Sequence, residues 1–150
     1  MNTYDHVLIS LEERHAINIF AGTKRVELRR RTMNVAEGTV VWIYVKRPIG
    51  SVVGLAIVAA THTLTPSQIW RRFGTCSGLE KTEFFNYFDG RDQAFALELK
   101  SVQKLKQEVP LGKLRDVSSG FHPPQFFTRI DPTGALANAM VAGVPKNALI

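Results

Sequence analysis

The side chains best suited to chemistry lie close together between Gly22 and Arg31, as Gly-Thr-Lys-Arg-Val-Glu-Leu-Arg-Arg-Arg. Within this run a lysine, a glutamate and an arginine follow the spacing Lys24-x-x-Glu27-x-Arg29. A lysine there can pair with a phosphate or a carbonyl, and becomes a nucleophile or base when burial lowers its pKa. Glu27 can accept hydrogen bonds from the amino group of a nucleobase or pair with its basic neighbours. Arg29 offers a planar donor fork that matches a phosphate or a base edge. Arg25, Arg30 and Arg31 add positive charge of the kind that raises association rate and salt dependence. Such a run is ordinarily a solvated strand face; here three charges of mixed sign beside a helix end suit a cleft lining.

Two aromatics, Trp42 and Tyr44, share one face of a later β-forming run, with Ile43 and Val45 on the other. An aromatic on such a face can stack on a base, worth ~1–3 kcal/mol, or fill a core. Trp42 fits the core, and Tyr44 fits either role. Four histidines, His6, His15, His62 and His122, show no metal-ligand spacing, and Cys76 is the only cysteine. No Walker loop, dinucleotide fingerprint or Gly-x-Ser-x-Gly elbow is present. The sequence therefore points to no metal and no cofactor.

The elements that must position these residues follow from patterning. The run Tyr4 to Ser10 is apolar enough for an entering strand, and Ser10-Leu-Glu-Glu13 has the spacing of a capping box, which predicts a helix over 11–21 stopped at Gly22. Val26 and Leu28 alternate with Arg25, Glu27 and Arg29, as in a half-buried strand. Residues 39–46 and 51–61 are β-forming and joined by Arg47-Pro-Ile-Gly50, a hairpin connector. Thr65-Pro66 opens a short helix and 80–88 forms another, with Trp70, Phe73, Phe84, Phe85 and Phe88 at helical spacing as a satellite core. Residues 93–108 resume alternation, and 131–150 form an Ala/Gly-rich tail. The expected class is α+β: a small β-barrel with short helices packed around it.

Composition sets the outer limits. The 150 residues are 45% hydrophobic and 21% charged, as in an ordinary globular domain. Nineteen basic against 13 acidic residues leave a net charge of +6, which favours an anionic partner, nucleic acid first. No apolar run approaches the ~20 residues that span a bilayer, so no membrane role is expected, and the single cysteine fits a reducing, cytoplasmic setting.

The segment Gly22-Thr-Lys24-Arg-Val-Glu27-Leu-Arg29 resembles the Gly-x-Lys-x-x-Glu-x-Arg signature of ASCH domains, a branch of the PUA-like barrels. Ile43-Tyr44 to Pro48, Val52-Val53-Gly54, Ser77-Gly78, Phe84-Phe85, Tyr87 to Arg91 and Pro123-Pro124-Gln125 with Phe127 follow in the order that family shows. The resemblance covers about Asp5 to Ile130, making 1–130 an ASCH/PUA-like domain with 131–150 outside it. It implies a β-barrel with a cleft beside the first helix that binds RNA or a modified nucleotide or nucleoside. The nucleic-acid-binding residues would be Lys24, Arg25, Glu27, Arg29, Arg31 and Tyr44. Some ASCH proteins are enzymes, which makes a metal-independent ribonuclease or an acetylcytidine-type amidohydrolase the alternative, with Lys24, Glu27 and Tyr44 as catalytic residues. The amidohydrolase pattern carries threonine where this chain has Glu27, and Glu80 and Glu83 lie near its glutamate. A third reading is a protein-interaction module docking through the apolar tail.

Overall fold

In a computed structural model, which describes residues 5–146, the chain alternates six strands with five short α-helices. The strands form one sheet in the order β2-β5-β4-β3-β1-β6. β1 (His6–Leu11) runs parallel to β3 (Val40–Val45), with His6 opposite Val40 and Leu11 opposite Val45. β3, β4 (Ser51–Leu64) and β5 (Ala94–Pro110) form an antiparallel meander around the expected hairpin at Arg47–Gly50. β2 (Val26–Arg29) pairs with β5, and β6 (Phe127–Ile130) pairs with β1. Tyr4, at the start of the expected first strand, and residues 147–150 of the tail lie outside the described residues.

The class is α+β as expected, but the sheet does not close into a barrel: β2 and β6 remain its two edges. Both are four residues long. The space between them is taken by side chains and by the cleft described below.

Alternation along the strands sorts their side chains onto two faces. Val7, Ile9, Leu11, Val41, Ile43 and Val45 face α1 (Glu13–Ala21), which buries Ala16 and Ile19 against them. Leu8, Trp42 and Tyr44 face the other way, toward Leu114 of α4 (Leu111–Val117) and Ala137 and Met140 of α5 (Ala135–Val141). The tail thus continues as a helix packed on the body. The expected satellite core is present: Val26 and Leu28 of β2 meet Ile69 and Phe73 of α2 (Pro66–Phe73) and Phe84 of α3 (Lys81–Tyr87). Close packing of α1 on β4 depends on Gly54, where a Cβ would come within 2.4 Å of Phe20 Cζ.

Local signals explain most boundaries. Thr65 and Gln68 form a reciprocal capping box, with Pro66 in the first turn of α2. Gly22 ends α1 at φ 84, the left-handed conformation that glycine adopts without strain. The start of α1 differs from expectation. Its N-cap is Glu12, which makes no side-chain cap bond, and Ser10 belongs to β1. Parallel pairing with β3 carries the strand through Leu11, so tertiary structure overrides the local capping spacing.

Candidate nucleic-acid interface

The left-handed turn at Gly22 directs the chain back under α1, where Asn18 O accepts the backbone N–H groups of Thr23 and Lys24 at 3.1 and 3.0 Å. Lys24 is thereby driven inward and is only 2% exposed. Its Nζ donates to Ser77 O at 2.6 Å and stands 3.6 Å from Glu27 Oε1. Glu27, 6% exposed, lies on β2, on the side away from Val26 and Leu28. Its Oε1 accepts from the backbone of Leu28, and its Oε2 accepts from Arg29 Nη2 at 2.9 Å. The result is a buried cation–anion–cation row, Lys24–Glu27–Arg29, not a solvated strand face.

Arg29 also crosses the seam of the sheet. Nη2 donates to Ser10 O and Nη1 to Phe126 O, each at 3.3 Å. The row lines a cleft of about 230 Å³, whose walls come from both sides of that seam. Ser10 and Leu11 enter from β1, Glu27 to Arg29 from β2, and Gln125 from the approach to β6. Glu12, His15 of α1, Lys46, Leu79 and Tyr87 add to the wall. At its mouth Arg14 donates to both carboxylate oxygens of Glu83. Small-molecule pockets usually run roughly 300–1,000 Å³, so this cleft lies just below that range.

Buried polar groups in folded proteins are nearly always hydrogen-bonded, and an exception needs a reason. Among the described residues, three buried side-chain atoms lack a partner: Ser10 Oγ, His15 Nδ1 and Arg29 Nε. All three belong to residues lining this cleft. Leaving such a group unpaired costs ~1–3 kcal/mol, a cost that bound water or a polar ligand removes.

The titration of the site follows from burial. Burial pushes the Lys24 ammonium below its ordinary range, opposed by the adjacent Glu27 carboxylate. Burial lowers the His15 imidazole as well, and the positive charge of Lys24 adds to that effect. His15 therefore favours its neutral form. Glu83 is held in its ionised form chiefly by its hydrogen bonds to Arg14. No group of three or more His, Cys, Asp or Glu among the described residues is placed to hold a metal ion.

Of the residues expected to act, Lys24, Glu27 and Arg29 converge in the cleft. Arg25 and Arg31 are exposed and do not line it; the Arg31 guanidinium lies 4.7 Å from the Phe126 ring centre. Arg30 stacks on Tyr87. Tyr44 is buried beside Trp42 and lines an adjoining groove instead of the cleft. Glu83 reaches the cleft mouth, whereas Glu80 stands at the N-cap position of α3, outside the cleft and without a side-chain cap bond. Cys76 packs in the satellite core.

Sequence reasoning does not single out Ser10, His15, Lys46 or Tyr87 for the cleft. The spacing around Ser10 matches a capping box, and His15 stands out only as a residue type that could ligate a metal. A usable signal for His15 is its place beside Ala16, on the flank of the apolar stripe of α1.

A family model described as a domain of unknown function (DUF365) matches residues 6–121. An "ASCH domain-containing ribonuclease" of Zymomonas mobilis is 34% identical over 121 residues, covering 81% of each chain. The crystal structure of the Zymomonas mobilis ASCH protein superposes with a TM-score of 0.85 at 31% identity, over 91% of this chain and 94% of that one. Human THYN1, solved in complex with 5-methylcytosine-containing DNA, shares the fold at a TM-score of 0.55 and 10% identity, over 95% and 99% of the two chains.

Proposed function

The chain belongs to the ASCH domain family, and on that premise we propose that it is a ribonuclease that seats one nucleotide of single-stranded RNA in the cleft and cleaves beside it. One observation carries this reading: the buried Lys24–Glu27–Arg29 row and the three residues that hold an unpartnered buried polar atom, Ser10, His15 and Arg29, line a single cleft. Similarity to a ribonuclease at 34% identity and the net charge of +6 support the choice of RNA.

The side chains suit transesterification. The neutral His15 takes the proton of a ribose 2′-hydroxyl as its oxygen bonds to the adjacent phosphorus. The bond from phosphorus to the 5′-oxygen breaks, and that oxygen receives a proton from Lys24, whose acidity burial has raised. A 2′,3′-cyclic phosphate and a 5′-hydroxyl result. Arg29, on the cleft wall, places a positive charge where charge develops on the phosphate oxygens. Glu27 is a positioning residue, holding both cations in line.

The test is incubation of labelled single-stranded and structured RNA with the protein in EDTA across a salt series, reading bound fraction and strand integrity together. Cleavage to cyclic-phosphate ends that disappears in Lys24→Ala supports the reading. Salt-sensitive binding without cleavage reduces it to an RNA-binding module. If the protein neither binds nor cleaves, RNA is not its ligand.

A further inference from the structure

Beside the cleft lies a second concavity, and the two share Ser10, Lys46 and Gln125 on their walls. The second one, of about 560 Å³, is lined by Lys46, Arg47 and Arg115 and by no carboxylate. Its remaining surface is Leu111 and the Pro123-Pro124 pair, half-buried apolar side chains of the kind that hold a ribose or a base, above the buried Tyr44. We infer that this groove is a second nucleotide subsite, so that the protein's ligand is an RNA segment of at least two nucleotides whose connecting phosphate sits at the Ser10–Lys46 junction.

Three features support this placement. First, Ser10, Lys46 and Gln125 belong to the walls of both concavities, so a strand can pass from one to the other past the Lys46 side chain. Second, Arg115 is anchored by its Nε–H bond to Phe121 O at 3.1 Å, which leaves its terminal nitrogens for an anion. Lys46 is anchored through its backbone, whose N–H donates to Leu11 O at 2.9 Å. Third, the cleft cations are already committed: Lys24 bonds Ser77 O and faces Glu27, and Arg29 bonds Glu27, Ser10 O and Phe126 O. The groove cations carry no side-chain ion pair among the described residues. Unpaired arginines and a lysine along a continuous trough are how single strands are held by their backbone. The inference rests on the cleft seating RNA, and adds where the strand continues.

The experiment uses two uncleavable probes, a fluorescein-labelled 2′-O-methyl tetra-uridylate and uridine 3′-monophosphate. The variant is Arg47→Gln with Arg115→Gln, both exposed and both outside the cleft. Lys100→Gln with Arg91→Gln removes the same charge away from both concavities. The expected result is at least a tenfold loss of tetranucleotide affinity in the groove variant, with the salt slope reduced by roughly 0.7 for each phosphate no longer neutralised. Mononucleotide affinity stays within about twofold, and the control variant matches wild type. If the groove variant keeps its affinity and slope, or the control loses as much, the subsite is overturned while the cleft reading stands. If wild type binds neither probe, the cleft reading itself falls and takes the subsite with it.

Discussion

Arg29, at the end of edge strand β2, donates through Nη1 to the carbonyl of Phe126, the residue that leads into the opposite edge strand β6. Its other terminal nitrogen holds Glu27 and the carbonyl of Ser10 on β1. One guanidinium thus ties together the parts of the sheet that backbone pairing leaves apart. Only a rigid fork of donors can do this, so the cleft and the seam of the fold depend on the same side chain.

Arg29→Ala should therefore lower both stability and RNA affinity. Removing one partner of a buried ion pair typically costs 3–5 kcal/mol; with Lys24 still facing Glu27, the expected loss is about 3 kcal/mol by urea denaturation. Arg31→Ala, at an exposed side chain stacked on Phe126, should stay within about 0.5 kcal/mol and change affinity less. Equal affinity losses in the two variants would indicate a diffuse basic patch.

Ser10→Ala separates function from stability. Ser10 is 4% exposed and its hydroxyl has no partner, so its removal leaves nothing else unsatisfied. Stability should be unchanged or slightly raised, within about 1 kcal/mol, while RNA affinity falls. A clear loss of stability would mean that the hydroxyl already serves the fold.

His15 gives the site a pH signature. Its folded pKa lies below the ordinary 6.5, first through burial and then through Lys24. Between the folded value and 6.5 the unfolded chain holds a proton that the folded chain lacks, so stability rises with pH in that window and is flat above it. His6 is depressed by burial and acts in the same direction, so His15→Gln should lessen, not abolish, the loss of stability below pH 6.5. In catalysis the protonated imidazole cannot serve as a base. kcat/KM should thus fall on the acid side, with an inflection below 6.5. His15→Gln should remove that limb and lower kcat by about 10²–10⁴.

Gly78→Ala probes the seating of Lys24. The residue has φ +76, and a Cβ there would stand 3.1 Å from Lys24 Cδ. The left-handed backbone costs a residue with a Cβ roughly 1–2 kcal/mol, and the crowding pushes Lys24 from its place against Ser77. Stability should drop by that amount and turnover by more than the stability loss explains. A variant as active as wild type would show that the position of Lys24 is not demanding.

Much of this molecule is legible in its sequence, and the gaps have physical causes. Alternation around Val26 and Leu28 places β2, and the Thr65-Pro66 and Gly22 signals place the ends of α2 and α1, because these are local rules. Lys24, Glu27 and Arg29 are legible because they lie close together along one short run of chain. Ser10 is not: its spacing to Glu13 fits a cap, and only its pairing opposite Tyr44 of β3 keeps it in a strand. His15 and Lys46 reach the cleft through tertiary packing that no local pattern encodes. The open seam is also hidden, since closure depends on where β2 and β6 end relative to each other.

The most direct measurement is a titration of isotope-labelled protein with 2′-O-methyl RNA, following backbone amide shifts. That ligand cannot be cleaved through its 2′-oxygen and so reports binding alone. The expected shifts centre on Ser10, His15, Lys24, Leu28, Lys46 and Gln125, the two walls of the cleft. Shifts centred instead on the apolar groove around Ile17, Ile49 and Val53, or spread evenly over the basic surface, would contradict the assignment of the cleft as the place where RNA is held.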